Sequence, residues 1–517
     1  MFLKKLAAHQ IIWASTLSFL VISSVLIYFD YLDYLFLVIP LLLVYLLISD
    51  TFQSKHTVKK NYPIVGRFRY FLESFRPEMR QYFFEGELDG KPFNRRQRTI
   101  VYQRAKNVKQ TISFGMQDDP NRIGYEWAAH SIYPKRADKQ FFRTTVGNSQ
   151  CLQPYSASIY NISAMSYGAL SKTAISSLNK GAQKGGFAHN TGEGGISDFH
   201  LEGGDLIWQI GTGYFGCRKD DGTFSEELFT EKANFPQVKM IELKLSQGAK
   251  PGHGGLLPGE KNTPEIAKIR NIQPHIAVHS PAGHTAFSNS TELLLFLKKL
   301  RHLSNGKPVG FKICIGRQDE FINIIKAMKK TGIVPDFITI DGAEGGTGAA
   351  PLEFIDYMGM ALSDALIFVT KTLQQYELRD QIKIMASGKI ITGFDIAKAI
   401  SLGADACYSA RGMMFALGCI QALQCDSGKC PVGIATQDKA LYKGLDITEK
   451  SVRVAHFHNN TLKAFAEFIG ACGFDSPKAI TPDVFYRRID HKTNESFTSL
   501  FFNDFENKAK TEKINLN

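Results

Sequence analysis

The chain has no base-stacking motif of the RNP kind, no zinc finger and no recognition helix with a basic face. Its net charge of +12 is therefore not the footprint of a nucleic-acid binder. It has no solenoid-type repeat. Its 44 glycines cluster in short runs without a period, which excludes a fibrous or low-complexity chain. With 44% hydrophobic and 21% charged residues, disorder is not the default either. Cysteine is scarce, at eight of 517 residues, and five of the eight stand singly. The other three, Cys419, Cys425 and Cys430, fall within twelve residues.

Charge is also missing locally. Residues 11–29 and 34–49 carry none. The first run is long enough to cross a hydrocarbon core of about 30 Å. The second reaches that length by borrowing from Tyr31–Asp33 or from Asp50. The apolar region lacks a small-residue cleavage site and occurs twice, which argues against a signal peptide. Lys4 and Lys5 precede the first run. Lys55, His56, Lys59, Lys60, Arg67 and Arg69 follow the second, while the intervening FDYLDY is acidic. The positive-inside rule then predicts a two-helix hairpin in the cytoplasmic membrane, with both ends and the rest of the chain in the cytoplasm. Thiols there are reduced, so the cysteine run is not read as a disulfide framework.

From about residue 155, short β-rich apolar runs alternate with helical stretches and Gly-rich loops. The predicted strands are 158–163, 186–190, 206–210, 239–244, 309–315, 337–341, 382–387 and 406–410. Eight such units in about 260 residues fit a (β/α)8 TIM barrel. Chemistry in that fold gathers where strands end. The first strand leads into Ala164, Met165 and Ser166, whose small neighbours admit a flat ligand. The second leads into NTGEGGIS, with Glu193 among glycines. GTGYFG after the third matches G-x-G-x-x-G, but turn-like CRKDDGTFS follows where a helix should open, so a dinucleotide fingerprint is rejected.

The fourth strand ends in KLSQGAKPGHGGLLPGEK. Lys244 sits inside an apolar strand, where an ammonium needs an anionic partner. The basic loop suits a dicarboxylate. Lys312 is again mid-strand and is suited to the anionic pole of a reduced flavin. Glycine-rich loops follow strands six to eight and match the phosphate site of many barrels. They contain Asp341, Gly342, Gly345, Gly346, Thr347, Gly348, Ser387, Gly388, Arg411 and Gly412. The pattern points to FMN. Residues 411–424 read as an apolar helix carrying Cys419, broken by DSG before Cys430-Pro431. Three cysteines without a nearby histidine suit an iron–sulfur cluster better than structural zinc or inert thiols.

SAMSYGALS, NTGEGGIS, IELKLSQGAKPGHGGLLPGEK, DGAEGGTGAAPL and LGCIQALQCDSGKCPVGIATQD together resemble the FMN-binding synthase domain of glutamate synthases, over roughly residues 100–470. The resemblance implies FMN, and a [3Fe–4S] cluster on Cys419, Cys425 and Cys430. It also implies hydride delivery from reduced FMN to the 2-iminoglutarate formed from 2-oxoglutarate and ammonia. Glu193, Lys244, Gln247 and Lys250 match positions lining the FMN and oxo-acid site, and Arg270 matches a carboxylate-binding arginine. Two positions depart from the family pattern: His253 stands for a glutamate, and Leu256 for a glutamine that helps bind 2-oxoglutarate.

The glutamine amidotransferase domain has no counterpart, so ammonia is expected free or from a partner. The electron donor is expected to be a ferredoxin or a reductase subunit. An amino-acid dehydrogenase or N-alkylglutamate-forming enzyme linked to the membrane is the alternative, and a redox-sensing scaffold ranks third. The expected division is a transmembrane hairpin over 1–54, a basic and aromatic lead-in over 55–150 that packs on the barrel, the FMN barrel over 151–470 and a C-terminal extension over 471–517.

Overall fold

The computed structural model describes residues 8–108, 110–138 and 142–503. Lys4 and Lys5, and the tail ENKAKTEKINLN, lie outside the described residues. The chain divides into two compact units, Met1–Arg95 and Arg96–Asn517.

The first unit opens with two apolar helices, α1 (Ala8–Tyr28) and α2 (Val38–Phe52). A 3-10 turn, Tyr34–Leu37, leads into α2, and the Asp33 side chain caps it by accepting from Leu35 N–H. Helix and turn make a continuous apolar stretch from Tyr34 to Phe52. Like α1, that stretch is long and apolar enough to cross a membrane. Trp13 Nε1 donates to Thr51 Oγ1 across the pair at 3.2 Å. Asp50 does fall inside α2, where it is 1% exposed and bonded to Arg67 at 2.8 Å.

The second unit is built on a closed barrel of eight parallel strands. In chain order they are β1 (Tyr160–Ile162), β2 (His189–Asn190), β3 (Leu206–Ile210), β4 (Val238–Lys244), β5 (Val309–Ile313), β6 (Phe337–Asp341), β7 (Lys383–Ser387) and β8 (Ala406–Ser409). Each pairs with its sequence neighbours, and β8 closes on β1 through Cys407↔Tyr160. Every predicted strand is present, several shorter than their apolar runs.

An antiparallel hairpin, Arg143–Val146 with Tyr155–Ser158, closes the N-terminal end. Its Val146 and Ala157 share one core cluster with Ile207, Met240, Phe337, Met385, Ala406 and Tyr408 from the barrel strands. Strand alternation turns those side chains inward and fills the floor with hydrocarbon. A three-stranded sheet joins Glu126–Ala128 to Phe485–Arg488 and Asn494–Ser496. Tyr102 Oη donates to the Cys419 carbonyl, and Arg104 donates to the Ile391 carbonyl and Thr461.

The helix Ile447–Ala471 carries the buried His458, whose ring stacks on Phe187 at 3.9 Å and whose Nε2 lies 3.1 Å from Ser158 Oγ. Burial lowers the His458 pKa from 6.5 to about 4, and it lowers that of His200 to about 4 as well. Both rings are therefore neutral when folded, whereas the unfolded chain takes up their protons below about 6.5. Stability is then fully present above that pH and is lost as pH falls towards about 4. Thermal melts across this window are expected to show a falling Tm, and His458→Gln to flatten the slope. An unchanged slope in that variant would place the acid sensitivity elsewhere.

Candidate functional site

Interior side chains change character along the barrel axis. Above the hydrocarbon floor lies Glu242, with no exposed surface. Asn190 Nδ2 and Gln209 Nε2 donate to its Oε1 at 2.8 and 2.6 Å, and Thr339 Oγ1 donates to its Oε2. Four strands, β2, β3, β4 and β6, thus meet at one carboxyl group. Nearer the mouth, Lys312 of β5 and Asp341 of β6 form a buried ion pair at 3.1 Å. Burial alone pulls the Lys312 pKa down. Asp341, aided by Glu242 and Glu193, more than reverses this and holds it above its ordinary value.

At the rim, Lys244 Nζ donates to Glu193 Oε1 at 2.7 Å and to Gln247 Oε1 at 2.6 Å. Burial pushes the Glu193 carboxyl up, but Lys244, with Lys250 and Arg270, outweighs it and keeps the pKa below the ordinary value. Lys250 is shifted down, first by burial and then by the nearby Lys244 charge. Arg270 ends the helix Pro264–Arg270. Its side chain donates to the Tyr167 carbonyl at 3.1 Å and lies 5.0 Å from the Phe215 ring centroid. A solvent-open cleft of about 300 Å³ is lined by Glu193, Thr212, Lys244, Gln247, Lys250 and His253, and Arg270 acts on Glu193 from outside that lining. Three cations face one carboxylate, so the region attracts anions.

Two predicted features need adjustment. Leu256, in a two-residue strand paired with Val278–His279, is not among the side chains lining the cleft. The predicted helix 411–424 ends at Leu417, because Gly418 takes a left-handed conformation and caps it. Cys419 therefore lies in the loop beyond the helix, on the same side of that break as Cys425 and Cys430.

His284 was not foreseen. Its Nε2 lies 2.9 Å from the Lys244 carbonyl, and its Nδ1 lies 3.1 Å from Tyr214 Oη. Burial lowers its pKa to about 4. The network assigns Nε2 as donor and the tyrosine hydroxyl as donor to Nδ1. Glu242 was missed too. Its spacing of two from Lys244 on one strand would have put both on the inner face.

The loops after the strands interlock. Gly192 abuts the backbone between Met165 and Ser166. Gly248 N–H donates to Asp341 Oδ2 at 3.1 Å, and a Cβ at Gly248 would fall 1.8 Å from the Gly342 carbonyl oxygen, so only glycine fits. Ser387 Oγ faces Ser163 Oγ at 3.4 Å, next to Gly388. Arg411 donates to the Glu344 carbonyl and would clash with a Cβ at Gly346. Gly412 packs on Ser409, and Ala164 lies in the loop following β1. Among the described residues, the amides of Gly346, Thr347 and Gly348 have no acceptor in the chain, although Gly345 N–H bonds the Gly342 carbonyl. Consecutive free amides beside the half-buried Arg411 are donors of the kind a phosphate needs.

In the cysteine loop, Gln421 N–H donates to Cys419 Sγ at 3.4 Å, and Lys261 Nζ donates to the Cys425 carbonyl at 3.1 Å. Burial pushes the Cys419 thiol up to about 12, and the neighbouring Cys425 and Cys430 push it the same way. Among the described residues no group of three His, Cys, Asp or Glu converges tightly enough for a single metal ion. The loop places one amide donor on Cys419 Sγ and two cations, Lys261 and Arg98, near the thiols.

A closed parallel barrel with an ion-paired, cation-rich cleft at its strand C-termini has the architecture of a barrel enzyme. The chain belongs to the glutamate synthase family, for residues 137–475 match the conserved region in glutamate synthase. It is 39% identical over 496 residues to the glutamate synthase large subunit-like protein YerD of Bacillus subtilis (strain 168), covering 87% of this chain and 94% of that protein. It is 35% identical to the archaeal glutamate synthase (NADPH) of Methanocaldococcus jannaschii, over 70% of this chain and 67% of that one. Among solved structures, the flavin-binding domain of baker's yeast flavocytochrome b2 is 12% identical, with a TM-score of 0.41, over 75% of this chain and 78% of that one.

The Lys312–Asp341 pair generates a stability prediction. Lys312→Met strands a buried carboxylate and is expected to cost ~3–5 kcal/mol. Adding Asp341→Asn removes the stranded charge, keeps the acceptor for Gly248, and should recover part of the loss in urea unfolding. Equal destabilisation of single and double variants would show that the charge is not the source.

Proposed function

We propose that the protein is an FMN-dependent oxidoreductase of glutamate synthase type, converting 2-oxoglutarate or a related oxo acid, with ammonia, into the amino acid. The observation that carries this reading is the Lys244–Glu193–Gln247 cluster in a cleft where three cations face one carboxylate. The relatives named above support it.

The Gly346–Gly348 amides and Arg411 would hold the FMN phosphate. Ala164, Met165, Ser166, Ser387 and Gly388 would border the ring system, and Lys312 would offer a positive charge to its reduced, anionic form. Reduced FMN supplies the hydride. Lys250 and Arg270 bind substrate carboxylates. Lys244 lines the cleft, its Nζ oriented by Glu193 and Gln247. Glu193 in turn is kept ionised by the three cations around it. Cys419, Cys425 and Cys430 would hold a [3Fe–4S] cluster that passes electrons in from a ferredoxin or a reductase subunit. Ammonia arrives free or from a partner. In this reading α1 and α2 anchor the chain in the cytoplasmic membrane and the barrel faces the cytoplasm, as the bases after α2 favour.

The reading is tested with the protein purified without oxygen and its flavin reduced chemically. Flavin absorbance should return only when 2-oxoglutarate and ammonium are both added. Lys244→Ala should slow that return by a factor of at least about 100, as loss of a positioned acid–base group does. Reduction of the flavin by an amino acid, with no reoxidation by the pair, would select the dehydrogenase alternative. For the cluster, Cys425→Ser should abolish bound iron and leave FMN in place. Unchanged iron content would refute the ligand assignment.

A further inference from the structure

Beyond α2 and a short helix, Thr57–Asn61, the first unit presents a third apolar surface. The helix Val65–Met79 continues into a wider turn, Arg80–Phe84. Phe68, Phe71, Leu72, Phe75, Met79 and Tyr82 recur at intervals of three and four, which places them on one face. All six are exposed, Phe68 at 62%. The face is continuous, since Phe71 lies 6.3 Å from Phe68 and 4.8 Å from Phe75 between ring centroids. Its borders are charged. Arg69, Arg76 and Arg80 fall along one edge by the same periodicity, and Glu73, on that side, pairs with Arg69 at 3.0 Å.

The start of this helix is fixed to the end of α2. The buried Asp50 accepts from Ile64 N–H at 2.9 Å and from Arg67 Nε at 2.8 Å. The first turn is thus held where α2 ends, with Lys55, Lys59 and Lys60 in the connection. An isolated apolar face could cover many things. One pinned to the end of a membrane-length helix, aromatic on one side and arginine-edged on the other, has the chemistry of a helix lying in a headgroup layer.

We propose that the segment Val65–Phe84 lies along the cytoplasmic surface of the bilayer, its phenylalanine face sunk among acyl chains and its arginines on anionic headgroups. This rests on the reading of α1 and α2 as membrane-spanning. The Asp50–Arg67 contact would then set the depth at which the chain leaves the membrane.

The test places a photo-crosslinking phenylalanine analogue, one site at a time, in the full chain. The chain is reconstituted in vesicles of phosphatidylcholine and phosphatidylglycerol. Phe71 and Phe75 probe the apolar face, Ser74 a polar position outside it, and Phe19 of α1 the hairpin. Lipid adducts at Phe19, Phe71 and Phe75, but not at Ser74, are expected. Lipid adducts at Phe19 with only protein adducts, or none, at Phe71 and Phe75 would overturn the proposal and leave the hairpin standing. Equal lipid labelling at Ser74 would overturn the one-sided placement. No lipid at Phe19 would remove the spanning reading and this proposal with it.

Discussion

The Glu242 carboxyl group, with no exposed surface in the middle of the barrel, constrains everything above it. A buried carboxylate is costly unless its lone pairs are filled. Here the donors come from Asn190, Gln209 and Thr339, on three other strands. A slip of β3 by one residue would turn Gln209 out of the barrel and Trp208 into it. The polar layer therefore fixes strand register more tightly than the interchangeable hydrocarbon below it. Lys312 uses that layer, since Glu242 joins Asp341 in stabilising its charge. Glu193 and Lys244 repeat the arrangement at the rim, where water is close enough for chemistry.

Much of this was legible in the sequence for one reason: barrel strands are short apolar runs bounded by glycine-rich turns. All eight could be placed from that contrast, and Lys244 and Lys312 stood out as cations inside such runs. Glu242 escaped notice because attention fell on the lysine that breaks the same strand, although both side chains point inward. His284 was illegible. It lies 40 residues beyond Lys244 in an irregular segment, and only folding brings its Nε2 to the Lys244 carbonyl. The overlong helix before the cysteines had a local cause. Apolar composition continues past Leu417, and a glycine next to Cys419 gives only a weak stop signal until its left-handed conformation is seen.

The site's preference can be argued by comparing its neutral and charged contacts. Leu256 does not line the cleft, and even a neutral hydrogen bond lost there would be worth only ~0.5–1.5 kcal/mol. Lys244, Lys250 and Arg270 remain, and a hydrogen bond to a charged group is worth ~1.5–3 kcal/mol. Two such contacts to a dianion exceed the single loss. Under the proposed function, charge would therefore set the substrate class, while the positions around the cations would discriminate among its members. His253 lines the cleft, with its Nδ1 2.8 Å from the Gly254 carbonyl oxygen and its ring 5.3 Å from that of Phe354. Under that reading, a substrate differing from 2-oxoglutarate in chain length or substituent would meet His253 without disturbing the cations proposed to hold its ends.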